Sequence, residues 1–169
     1  MNYPCDDEYR KKGDRDPPTE SELDLLSHDV IYEIEHFWNA SVSILVGQRT
    51  GWESNLQKEA MLIHARCLMD FFLCDQRKDD VVASMYVPDW DPTVDGGTSL
   101  AWLDSNLGMF IDKRVAHITA YRQRCEKVGE PVIEVLKRMR PLLGRFLKKV
   151  DLERWPQYAE IRRNIVGGA

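Results

Sequence analysis

An all-α fold, an antiparallel bundle of four principal helices with a long crossover loop, is predicted by three features of this chain. Apolar residues recur at the 3.6-residue helical period over four long segments. Helix-start signals stand at the head of three of them: Thr19 with Glu22, Thr98 or Ser99, and Pro131 after Gly129. No segment alternates apolar and polar residues as a half-buried strand would.

Residues 1–18 are polar, alternate in charge sign and end at Pro17-Pro18, which predicts a disordered charged arm. Residues 19–169 are expected to form a single helical-bundle domain. The first helix starts at the Thr19/Glu22 capping box. It runs to about Gly47 on Leu23, Leu26, Val30, Ile34, Phe37, Ser41, Ile44 and Leu45. The second spans about Trp52 to Leu73. Leu56, Ala60, Ile63, Cys67 and Phe71 form one stripe, and Met61, Leu62, Leu68, Met69 and Phe72 extend apolarity nearly all round, so this helix belongs at the centre of the core.

Residues 75–98 break the period at Pro88, Pro92 and Gly96-Gly97 and predict the crossover. Tyr86 and Trp90 should anchor it, and Asp79 to Tyr86 has room for one or two helical turns. Leu100, Leu103, Leu107, Ile111, Val115 and Ile118 define a third helix that ends before Gly129. Pro131 opens the fourth, on Val132, Leu136, Met139, Leu143, Phe146 and Val150, with a kink expected at Pro141. A short helix over about Gln157 to Asn164 follows Trp155-Pro156.

At 169 residues, 43% hydrophobic and 30% charged, the composition is that of a globular domain. No apolar run approaches the length of a membrane span, and the first residues lack the apolar centre of a signal peptide, so a cytoplasmic protein with no membrane partner is expected. The cysteines Cys5, Cys67, Cys74 and Cys125 form no CxxC pair and read as buried free thiols. The net charge of −5 conceals an asymmetry: residues 1–112 sum to −13 and residues 113–149 to +8. Either acidic early helices neutralise basic late ones, or a basic surface stands exposed to attract an anionic polymer.

The most informative stretch for function is Asp112 to His117. Lys113 and His117 are four apart and Arg114 and His117 three apart, so three cationic or titratable groups share one helical turn. Such a group suits phosphate binding. It equally suits base chemistry on an RNA 2′-hydroxyl, with His117 as the base and Lys113 and Arg114 as flanking cations. Asn106 lies on the same stripe, and Glu59, Arg66 and Asp70 share one face of the second helix as a candidate opposing wall. His64 lies in the same apolar helix about 200° round from Arg66, and is a binding candidate or a satisfied core histidine. The plain alternative for the whole group is a polar seam that sets helix register or a dimer interface.

Metal chemistry finds little purchase. Glu33 and His36 have Glu-x-x-His spacing, but the second such motif of a di-iron bundle is absent, so Glu33 and His36 are expected on the wet face of the first helix. No metal and no cofactor are expected. A serine elbow and a phosphate-cradling glycine loop are also missing. Lys137, Arg138, Arg140, Arg145, Lys148 and Lys149 make the fourth helix basic, with no acid between Glu134 and Asp151 and no aromatic residue on the charged side.

Three phrases carry a resemblance: His64-Ala-Arg66-Cys-Leu-Met-Asp70-Phe-Phe, Asp80-Val-Val-Ala, and Asp112-Lys113-Arg114-Val-Ala-His117-Ile-Thr. They resemble a family of uncharacterised bacterial helical-bundle proteins over roughly residues 50–125. More distantly, the chain is similar to the HEPN superfamily of four- or five-helix bundles, often dimeric and found in toxin–antitoxin and phage-defence systems. Its ribonuclease members carry an Arg followed four to six residues later by His, whereas Arg114 and His117 enclose two residues. The resemblance therefore implies the architecture and a polar late-helix motif, not an activity. Three functions follow as expectations: a homodimer acting by RNA or protein binding in a stress or defence setting, a metal-independent endoribonuclease, or a small-molecule or metal-binding bundle.

Overall fold

The computed structural model describes residues 18–47, 51–73, 81–94 and 132–167. Four α-helices and one short 3-10 turn make up the regular structure there, and no strand occurs among the described residues. They are α1 (Glu20–Val46), α2 (Trp52–Leu73), α3 (Val132–Lys149) and α4 (Tyr158–Val166), with the turn at Ala83–Met85. The all-α expectation holds. The expected third helix and residues 1–17 of the arm lie outside the described residues, and of the expected crossover only 81–94 is described.

Helix α1 begins where the capping box places it. The Thr19 hydroxyl accepts from the Glu22 amide, and the Glu22 carboxylate accepts from the Thr19 amide at 2.8 Å. The Thr19 amide and the Thr19 hydroxyl both donate to the Glu22 carboxylate and hold it below its ordinary range. Leu23, Val30, Ile34 and Phe37 are buried as the period requires, while Leu45, in the last turn, is exposed. Two serines share the buried face, each satisfied locally: Ser27 donates to the Asp24 carbonyl and Ser41 to the Phe37 carbonyl. Gly47 closes the helix with φ +65, a left-handed conformation that glycine adopts without penalty.

Helices α1 and α2 pack antiparallel. Glu33 meets His64, while Leu26 and Val30 lie beside Cys67, Leu68 and Phe71. Met61, Leu62, Ala65, Leu68, Met69, Phe71 and Phe72 are buried. The stripe expected on α2 is corrected here: Leu56 and Ile63 are 56% and 44% exposed, and Cys67 is exposed as well. A helix with apolar residues all round has no face that periodicity can select. The neighbours α1 and α3 selected it instead.

On α3 the expected residues Val132, Leu136, Met139, Leu143 and Phe146 are buried, as is Val150 just past its end, and the helix continues through Pro141. Phe146 is the hub of the core. Its ring centroid lies 5.2 Å from Phe71, 5.7 Å from Phe72, 5.9 Å from Trp90 and 5.7 Å from Tyr158. Residues 81–94 are pinned as expected. The Trp90 indole donates to the Phe72 carbonyl at 2.9 Å, satisfying a helix-end acceptor, and the Tyr86 hydroxyl donates to the Leu23 carbonyl at 3.0 Å. Burial pushes the Tyr86 and Tyr158 hydroxyls far above their ordinary pKa.

Helix α4 folds back on α3 through a cap supplied by Arg162. Its guanidinium donates to the carbonyls of Leu147, Lys148 and Val150, where α3 has run out of amide partners. Arg154 pairs with Glu20 at 2.9 Å, and the Gln157 amide donates to Ser27 and Asp24, which ties this end of the chain to α1.

Candidate functional site

The residues singled out from sequence divide into two groups. Lys113, Arg114, His117 and Asn106 lie outside the described residues. Glu59, His64, Arg66 and Asp70 all sit on α2, on two faces. Arg66 and Asp70 form the expected i,i+4 ion pair along the helix, with Asp70 exposed and Arg66 half-buried. Glu59 is half-buried two turns earlier. His64 turns the other way, towards α1.

There His64 finds a partner that sequence reasoning had placed elsewhere. Its Nδ1 lies 2.7 Å from Glu33 Oε2, with 15% of the His64 side chain and 27% of the Glu33 side chain accessible. Glu33 is therefore drawn into the helix interface and does not sit on the wet face with His36. His36 is exposed, yet its ring stands 4.1 Å from Tyr32 and 5.0 Å from His64, so Tyr32, His36 and His64 form an aromatic row beside the Glu33 carboxylate. The signal that finds this pair is register. In a tight antiparallel hairpin the pairs 33/64, 30/67 and 26/71 lie level, and the first couples a carboxylate to an imidazole.

Cys67 lies one turn beyond His64 and is a free thiol on an exposed position, which corrects the expectation that it is buried. Desolvation, the Glu33 charge and a hydrogen bond to that carboxylate push its pKa up to about 11. Such a thiol is a poor nucleophile at neutral pH. No three His, Cys, Asp or Glu side chains among the described residues gather as a metal-holding group.

The second feature is the basic side of α3. Lys137, Arg140, Lys148 and Lys149 are exposed, and none has an ion-pair partner among the described residues. Arg138 is instead paired to Glu134 at 2.7 Å. Arg145 is engaged inward: it donates to the Asp91 carbonyl at 2.9 Å and its guanidinium carbon sits 4.3 Å over the Trp90 ring. Asp91 is held below its ordinary pKa, chiefly by hydrogen bonds from Thr93 and in smaller part by Arg145. Among the described residues, the Asp91 charge is felt by Arg145, whereas the four exposed cations have no acidic partner.

No helix of the described residues is long and apolar enough to cross a membrane. No family model, no curated protein and no solved structure matches this chain.

Proposed function

We propose that this protein is a HEPN-like helical bundle that works as a homodimeric binding module, engaging an anionic macromolecule through the basic side of α3. One observation carries the reading: Lys137, Arg140, Lys148 and Lys149 are exposed on one helix with no acid among them. A helix that exposes four cations with no ion-pair partner among the described residues holds a field that attracts polyanions and speeds their encounter. The more distant resemblance, carried by the all-helical architecture and the polar motif at Arg114 and His117, supports the HEPN-like and dimeric parts.

The test is titration of the purified protein with mixed RNA and with polyglutamate at low and high salt. Salt-sensitive binding of one of them is expected, and it should be lost when Lys137, Arg140, Lys148 and Lys149 are all replaced by Glu. A wild-type protein that binds neither polymer at low salt overturns the reading. A strictly monomeric mass at micromolar concentration removes the dimer from it.

A second reading, metal-independent RNA cleavage with His117 as base beside Lys113 and Arg114, is favoured by the spacing of those three residues. Cleavage of mixed RNA that disappears in His117→Ala is its expected outcome. Intact RNA with the wild-type protein removes it.

A further inference from the structure

An open groove of about 570 Å³ runs between the second half of α3 and the last turn of α4. Among the described residues, Pro141, Leu142 and Gly144 line it from α3 and Ile165 and Val166 from α4. Its centre is aliphatic apart from Arg145, which also borders it and whose guanidinium is turned to the Asp91 carbonyl and the Trp90 ring. Exposed cations stand at its two ends, Arg140 at one and Lys148 with Lys149 at the other. The eight-position step from Arg140 to Lys148 corresponds to about 12 Å along an α-helix. Gly144 opens the middle: a Cβ built there would meet nothing within 4 Å, so the groove reaches the α3 backbone.

The geometry points to this groove as the docking site for an acidic amphipathic helix of a partner protein. That helix would carry two carboxylates about two turns apart, with aliphatic residues between them. This rests on the proposal that α3 receives an anionic macromolecule, and names its class. Charge complementarity selects the occupant. Two cationic ends separated by an aliphatic floor match an acid–apolar–apolar–acid helix face. A single-headed acyl anion leaves one end unanswered. RNA presents phosphates at every step and bases that need stacking partners, and no aromatic residue lines the groove among those described.

The experiment uses the full chain and a synthetic alanine-based peptide of about 18 residues, long enough to hold a helix. Its centre reads Glu-x-x-Leu-Leu-x-x-Glu, and a peptide of the same composition in scrambled order is the control. Anisotropy titration is expected to show the ordered peptide binding at least about tenfold tighter than the scrambled one. Gly144→Phe should abolish that difference by filling the groove while leaving the melting temperature unchanged or raised, since a mid-helix glycine is lost. Should Gly144→Phe fail to fold, Arg140→Glu serves instead: it should weaken the ordered peptide, and a peptide with Lys for the facing Glu should recover the loss.

Equal binding of ordered and scrambled peptides overturns the inference, as does full affinity in a folded Gly144→Phe. Salt-sensitive RNA binding without ordered-peptide binding overturns the inference alone and leaves the basic face of α3 as a binding surface. Binding of neither overturns both.

Discussion

Glu33 and His64 share a 2.7 Å hydrogen bond across the α1–α2 interface, although 31 residues separate them. The bond fixes the register of the hairpin at its middle, where a one-turn slip would set the carboxylate against apolar neighbours. A double-mutant cycle with Glu33→Gln and His64→Leu, followed by urea unfolding at pH 7, should give a coupling of about 0.5–1.5 kcal/mol, reduced from a fully buried pair because both side chains are partly wet. Additive single-mutant effects would show that the contact does not bind the helices together.

Phe146 sits fully buried against the rings of Phe71, Phe72, Trp90 and Tyr158. Phe146→Ala should destabilise the fold by about 3–5 kcal/mol through lost transfer energy and the cavity left behind. Thermal or chemical unfolding checks it, and a loss under about 1 kcal/mol would mean the hub is loosely packed.

Arg162 donates to the carbonyls of Leu147, Lys148 and Val150 at the end of α3. Arg162→Ala should cost about 1–3 kcal/mol and speed hydrogen exchange in the last turn of α3 and in α4. Arg162→Lys should recover part of the loss, since an ammonium answers fewer carbonyls at once than the forked guanidinium. Exchange that quickens equally across α1 would argue against a local cap.

The Cys67 thiol, raised from 9.0 to about 11, links stability to pH in a defined window. Between about pH 9 and pH 11 the unfolded chain releases this proton while the folded chain retains it. Stability should therefore be unaffected by this group below pH 9, fall as pH rises through the window, and level off above it. Comparing unfolding midpoints of the wild type and Cys67→Ala from pH 8 to pH 11 isolates the effect. Parallel curves would place the thiol at its ordinary pKa. Alkylation of Cys67 at pH 8 should also lag behind a model thiol by about two orders of magnitude.

Periodicity and end signals were sufficient wherever a helix had one clear face. The buried positions of α3, the start of α1 at Thr19, the closing glycine Gly47 and the short final helix are all legible in the chain, because capping and burial there depend on neighbours within a few residues. The anchoring roles of Tyr86 and Trp90 were legible too, since a large aromatic with a polar tip in a proline-rich segment must bury its ring and find an acceptor. Tertiary structure alone decided which side of α2 is buried, because its apolar residues surround the axis and only the placement of α1 and α3 chooses among them. It also drew Glu33 onto His64, joined Arg162 to the end of α3, and set four cations of α3 outward while turning Arg145 onto Trp90. The contacts Glu33–His64, Arg162 with the end of α3, and Arg145–Trp90 join residues distant in sequence, and their energy exists only after the helices have docked.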